Sequence, residues 1–436
     1  SMQFLKKIMT ILFSCVILGS MTACGGGADS SKDSASENTP TASGMFNPTL
    51  TVDQKTIFSD IYDHSYARIV EAEDGTLIAT GEELNNGFGG IPIYRSTDRG
   101  KTFVKNEANV HDPNRTSTYN AQWQPTLYVL PCDIGGDLKK GDIVLVATSI
   151  NGTGVDTMTL GVLNLYHSDD NGLTWEFMSE ITRSLVNTPD HPEQNGVWEG
   201  NLIVNAEGEL ACFYADETDH IAHSQRIVYK TTSDGKTWSE VTEVVALDNP
   251  NMRPGMPSVT KIKDGKYFIV IEMVGENAVP IYWKTSPDGV DWGDANDKGK
   301  KISVTEKVVD ALTGKERTTQ IAPVSSPFCA WTPYGPDDNG TIFVTSMRSE
   351  YTGAKPTEVS LIDFYVSYDL GENWSRINHP IPYYDLDNRP AYSNSLCVSK
   401  DGKSLFVVNS VPAMAGKREN YLVFADVNIE KSLKTL

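Results

Sequence analysis

Five short segments of this chain repeat one aromatic–polar–glycine–aromatic pattern, and few architectures can use it five times. Three strict copies run from Tyr94 to Phe103, Tyr166 to Trp175 and Tyr365 to Trp374, each with an aspartate fifth and a glycine seventh (Asp98 and Gly100, Asp170 and Gly172, Asp369 and Gly371). Two looser copies end in Gly235-Lys-Thr-Trp238 and Gly289-Val-Asp-Trp292, with the acid, Asp234 or Asp288, one place later. The physics of one copy is local. A strand ends, an aspartate caps backbone N–H groups, a glycine takes positive φ without steric cost, and the closing aromatic ring folds under the turn.

A second repeat runs in phase with the first. Six turns launch apolar runs, at Asp74-Gly75, Gly141-Asp142, Glu207-Gly208, Asp264-Gly265, Asn339-Gly340 and Asp401-Gly402. Each reads as a hairpin entering a buried inner strand. The spacing predicts an all-β fold, a six-bladed β-propeller of four-stranded antiparallel blades. The sixth unit lacks an outer strand, which the stretch from Thr51 to Asp60 is expected to supply, closing the ring and removing a free edge. Stretches 107–120, 183–197 and 294–322 read as loops on the propeller faces. The 436 residues, with 35 Gly, 22 Pro and 18 Tyr, suit such a closed β-architecture. A formal charge of −20 argues against nucleic acid as a partner.

The N-terminus reads as targeting rather than fold. Lys6 and Lys7 precede an apolar stretch from Ile8 to Leu18 that is too short to span a bilayer as a stable helix. Met21-Thr22-Ala23-Cys24 resembles a bacterial lipobox, which makes residues 1–24 a lipoprotein signal peptide with Cys24 as the lipidated residue. Residues 25–46 are nearly free of apolar side chains and read as a disordered tether. The expectation is an exported protein, anchored by lipid to a bacterial envelope, with residues 47–436 as its monomeric catalytic domain. Cys132, Cys212, Cys329 and Cys397 show no metal-type spacing.

Candidate chemistry centres on two glutamates. Glu199 lies in Gly196-Val-Trp-Glu-Gly-Asn, between a loop and an apolar strand start, and Glu272 closes the apolar run Tyr267-Phe-Ile-Val-Ile-Glu. A carboxylate at such a place is costly unless it is paired or faces a site. A blade-end salt bridge is the better explanation of a single such glutamate; two from adjacent blades, each with special residues nearby, favour catalysis.

The five-fold pattern is similar to the Asp-box of sialidase-superfamily β-propellers, a structural repeat that speaks for fold and not chemistry. Trp198-Glu199, Tyr214-Ala-Asp-Glu217, His223-Ser-Gln225, Arg253-Pro-Gly-Met256-Pro257 and Glu272 together resemble glycoside hydrolase family 93, the exo-α-1,5-L-arabinanases. The resemblance covers about residues 60 to 410. It implies release of arabinobiose from linear arabinan, with Glu199 as general acid/base, Glu272 as nucleophile and Tyr392 facing the site floor. Arg68, Trp198, His223, Arg253, Met256, Trp331 and Arg389 are candidate substrate-binding positions, although each arginine taken singly reads more readily as a surface or ion-pair residue and each tryptophan equally as packing between blades; no His, Asp and Glu cluster has metal-type spacing, so neither cofactor nor metal is expected. Tyr282 and Trp123 are further stacking candidates. One departure is Gly200, where the family more often has proline. Two other readings stay open: an exo-α-sialidase, which requires an arginine triad, and a non-catalytic glycan-binding propeller lipoprotein.

Overall fold

The computed structural model describes residues 48–433, except 84–89, 115, 117–118, 152–154, 156, 190–194, 311, 353–361, 383–391 and 414–418. The leader, Cys24, the tether and Arg389 therefore lie outside the described residues. Six four-stranded antiparallel sheets follow one another along the chain. Their first strands are His64–Glu71, Tyr119–Val129, Val197–Val204, Arg253–Lys261, Phe328–Thr332 and Ser395–Val398, and we number the sheets 1 to 6 in that order. Each first strand touches the next, and that of sheet 6 touches that of sheet 1, so the ring closes. This is a β-propeller arrangement with the first strands innermost.

The ring is held by six apolar clusters, one at each junction between neighbouring sheets. This explains the six apolar runs of the sequence. They form the second strands, such as Ile143–Asn151 and Tyr267–Val274, not the innermost ones. A second strand is covered on both faces by adjacent sheets and so reads as a continuous apolar run. The first strand lines the centre and carries the polar groups. Burying each large side chain of such a run contributes about 1.5–3 kcal/mol.

The sheet order β-strand by β-strand also accounts for the chain ends. Thr51–Ile57 pairs with Asn420–Asn428 as the outer strand of sheet 6, from Thr51↔Asn428 to Ile57↔Val423 with one register shift between Val52 and Gln54. N-terminal chain thus completes the C-terminal sheet, as expected. The stretch 294–322 is a correction. It contains Val304–Val309 and Glu316–Val324, which join Arg348–Thr352 in a separate three-stranded sheet. Its charged outward residues hid a period-two pattern. Glu306 of this sheet is buried and takes Arg376 of sheet 5 through both oxygens, at 2.9 and 2.8 Å. A bidentate pair of that kind fixes geometry as well as charge.

At one end of the ring sit the aspartate–glycine turns, between third and fourth strands. Asp98 Oδ1 accepts from Ser96 Oγ (2.8 Å) and Thr102 N–H (2.9 Å), and Asp170 repeats both bonds with Ser168 and Thr174. Trp175 and Trp292 fold back to donate Nε1–H to the Gly172 and Gly289 carbonyls of their own turns. Trp238 instead reaches Ser179 Oγ of sheet 2 at 2.9 Å, tying neighbouring sheets together.

Candidate active site

In each sheet the first and third strands run the same way, so the aspartate turns and the starts of the first strands lie at opposite ends. The opposite end is where the chemistry gathers. In sheets 1 to 4 the innermost strand is interrupted there by a β-bulge, between Ser65 and Arg68, Trp123 and Thr126, Trp198 and Asn201, and Gly255 and Ser258. Each bulge holds a non-glycine residue in the left-handed region: Tyr66 (φ 51°), Gln124 (57°), Glu199 (63°) and Met256 (49°). Ser326 (49°) and Ser393 (57°) take the same conformation just before the innermost strands of sheets 5 and 6. Such a conformation costs about 1–2 kcal/mol for a side chain with a Cβ. It persists only where the surroundings over-determine it, and such strain concentrates at functional sites.

The surroundings are a directional ring of hydrogen bonds. A bulged residue leaves the ladder, so its N–H needs another acceptor. Tyr66 N–H donates to the Tyr392 carbonyl (3.1 Å) and Gln124 N–H to Glu82 Oε2 (2.7 Å). Glu199 N–H donates to Gln124 Oε1, Met256 N–H to Glu199 Oε2 (3.0 Å each), and Ser326 N–H to Glu272 Oε2 (2.9 Å). Each acceptor belongs to the preceding sheet. The same contacts aim the side chains of Glu199, Glu272, Tyr66 and Gln124 into one funnel.

Glu199 and Glu272 come from the start of one strand and the end of the next sheet's second strand, where Glu272 pairs with Gly255. Glu272 is buried, and Ser325 Oγ adds a second donor to its Oε2 at 3.2 Å. Glu199 is half-buried, its Oε1 accepting from the Tyr66 hydroxyl at 3.0 Å. Burial first, and the neighbouring Glu272 charge second, push the Glu199 carboxyl up to about 8. The bonds from Tyr66 and Met256 pull the other way and are outweighed. At neutral pH this is an acid holding its proton beside a second carboxylate. Gly200 is explained by space. A Cβ there would lie 2.6 Å from Val146 Cγ2, so neither proline nor alanine fits without a shift.

The other expected positions divide. Met256 belongs to the site, through its backbone N–H. Tyr392 packs its ring edge-on against Tyr66, centroids 5.6 Å apart, and the Tyr66 hydroxyl stands 3.0 Å from Glu199 Oε1. Trp198, half-buried, neighbours Glu199 and packs with Trp123 on Ile150, Met158 and Val186. Arg253 lies at the rim, where Glu217 Oε1 (2.6 Å), Gln225 Oε1 and the Ser224 carbonyl take its guanidinium.

Arg68 is a correction. It is buried and gives its fork to Thr126 Oγ1 and to the carbonyls of Ala67 and Ser393 and the Ser393 hydroxyl, so it ties sheet 1 to sheets 2 and 6 instead of reaching sugar hydroxyls. Trp331 is a second. Its Nε1 donates to the Asn339 carbonyl at the aspartate-turn end, away from the funnel. Tyr282 is a third, since the Lys298 ammonium sits 4.6 Å above its ring and its hydroxyl is on Glu276. His223 lies on the rim with Nδ1 on the Leu247 carbonyl. It gathers with Asp219 and Glu243, but the Arg226 guanidinium already stands 2.7 Å from Glu243 and 3.5 Å from Asp219. The protein supplies that cluster's cation itself.

Two residues escaped the sequence reading. Tyr66 was visible only as part of a motif, and Glu82 not at all. Glu82 is buried and occupies in sheet 1 the place that Glu272 holds in sheet 4, opposite the residue before the bulge. A usable signal was present: Gln124-Pro125 and Met256-Pro257 put proline inside innermost strands, which marks bulges.

Known structures share this frame. An α-L-arabinanase from Penicillium chrysogenum, solved with arabinobiose, matches with a TM-score of 0.68 and 29% identity, covering 88% of this chain and 100% of that one. A glycoside hydrolase family 93 α-L-arabinofuranosidase from Fusarium graminearum, also with arabinobiose, gives 0.64 and 28%, over 89% and 99%. A Clostridium perfringens sialidase is 27% identical over 201 residues, 42% of this chain and 50% of that protein, so the match spans about half of the sialidase's length. No family model matches the chain. Fold and matches together define a sialidase-superfamily propeller, and its class is glycosidase. Within that class the chain is similar over most of its length to the family 93 α-L-arabinofuranosidase and to the α-L-arabinanase.

Proposed function

We propose that this protein is an exo-acting arabinanase that releases arabinobiose from linear 1,5-α-arabinan by a retaining, two-carboxylate mechanism. The observation that carries the reading is the pairing of a proton-holding Glu199 with Glu272 at one end of the ring. Glu199 protonates the leaving glycosidic oxygen while Glu272 attacks the anomeric carbon, through an oxocarbenium-like transition state. Glu199, now ionised, then takes a proton from the water that releases the sugar. Retention requires carboxyl groups about 5–5.5 Å apart. The donors from Ser325 and Ser326 hold the Glu272 carboxylate in one orientation, as an attacking group needs.

The half-length sialidase match keeps a second reading in view. A sialidase needs free guanidinium groups for the substrate carboxylate. Here Arg68 is spent on ring closure and Arg253 on Glu217. The partners of Glu199's carboxylate are a hydroxyl and a backbone N–H, which also speaks against a rim salt bridge in a binding protein. We further propose export and lipid anchoring through Cys24, supported by the lipobox residues; Cys24→Ser should abolish labelling by a radioactive fatty acid.

Incubation with linear 1,5-α-arabinan and, separately, with sialyllactose tests the assignment by product chromatography. Arabinobiose as the early product is expected. Free sialic acid, or no product from either substrate, would overturn it.

A further inference from the structure

We propose that Tyr66 is a positioning residue whose hydroxyl, held on Glu199 Oε1, stabilises that carboxylate each time it gives up its proton. The inference rests on the glycosidase reading above and deepens it.

The direction of the hydrogen bond is settled by its neighbours. Gln124 Oε1 accepts from Thr148 Oγ1 at 2.8 Å and from Glu199 N–H at 3.0 Å. The Gln124 amide must therefore turn its NH2 group the other way, where it donates to the Tyr66 oxygen at 3.4 Å. A phenol oxygen that accepts from Gln124 has its own proton left for Glu199, 3.0 Å away. Gln124 is itself fixed by Glu82, whose Oε2 takes its backbone N–H at 2.7 Å and whose Oε1 takes Ser65 Oγ at 3.0 Å, one residue before Tyr66. The Tyr66 backbone is bonded to Tyr392, and its ring lies against the Tyr392 ring and the Arg68 guanidinium. Burial pushes the phenol's pKa up, so Tyr66 stays a neutral donor through the working range.

Glu272 has donors of its own, Ser325 Oγ and Ser326 N–H on Oε2 among them. An acid/base residue exchanges a proton twice in each turnover and gains from a donor that strengthens when it ionises. Proton balance is simple. The proton leaves Glu199 for the glycosidic oxygen and returns from water, while Tyr66 keeps its own. The charged and titratable groups acting on Glu199 are Tyr66 and Arg68 of sheet 1, Glu217 of its own sheet and Glu272 of sheet 4, while Glu82 and Tyr392 act on Tyr66.

The test is the pH profile of kcat/KM for the full chain on linear arabinan, with Tyr66→Phe. Losing the donor should raise the alkaline limb by about one pH unit, with melting little changed. A limb that stays in place overturns the inference. If the phenylalanine variant does not fold, 3,5-difluorotyrosine placed at position 66 keeps the shape and sharpens the donor. The limb must then move down, and no movement overturns the inference equally. Glu199→Gln separates the two levels. Retained turnover in that variant would remove the glycosidase reading itself, whereas a dead Glu199→Gln with an unmoved Tyr66→Phe limb removes only the role of Tyr66.

Discussion

At the aspartate-turn end each capping aspartate bonds residues within four positions of itself, as Asp98 does with Ser96 and Thr102. At the funnel end the N–H groups of Tyr66, Gln124, Glu199, Met256 and Ser326 find their acceptors outside their own sheets, as Met256 does with Glu199, 57 residues away. The same ring thus has one end built from local, self-contained turns and another whose strained backbone exists only when its neighbours are in place. The first is capped from within each turn and adds bonds to neighbouring sheets, such as Trp238 to Ser179. The second stores strain and buried charge, which is what a catalytic site needs and a structural turn does not.

The widest test of that contrast is at the two glutamates. Glu199→Gln and Glu272→Gln should each lower turnover on arabinan by at least about 10³-fold while the protein stays folded. Near-normal rates in either would erase the distinction between the ends. Trp374, buried at the turn end against Phe268, should behave in the opposite way. Trp374→Ala should cost about 3–5 kcal/mol of stability in denaturant melts and leave turnover per folded molecule unchanged.

A smaller effect sharpens the electrostatic side. With the Glu199 carboxyl raised to about 8, the folded protein holds a proton there that the unfolded chain has released. Between the ordinary carboxylate range and about pH 8, stability therefore falls as pH rises. Glu199→Gln removes that loss, so its Tm advantage over wild type should grow from pH 5 to pH 9. A constant difference would mean that Glu199 is not held protonated. Turnover should fall as pH rises through about 8, because the acid form is then lost. The smallest effect belongs to a single turn: Asp170→Ala should lower Tm by a few degrees and leave kcat and KM alone.

Legibility in the sequence follows the same divide. The aspartate turns, the six hairpins and the closing strand at Thr51 were readable because each is a short pattern of turn residues and apolar runs. Glu199 and Glu272 were readable as carboxylates placed where burial is costly. Tyr66 and Glu82 were not, because their importance comes from bulge geometry and from partners on other sheets: Glu199 is 133 residues from Tyr66. Arg68 was misread for the same reason. An arginine near a site looks like a ligand-binding group until its acceptors, Ser393 among them, are known. The sheet within 294–322 was missed because its strands hold few apolar residues among the charged and polar ones that loops also carry.

The most direct test of the account is to trap the glycosyl-enzyme. An α-L-arabinofuranose-configured epoxide would be incubated with the protein and the modified peptide mapped by mass spectrometry. The account predicts one adduct, on Glu272, lost in Glu272→Gln. An adduct on Tyr66, Tyr392 or Glu199 instead would contradict the assignment of the two carboxylates and, with it, the central claim.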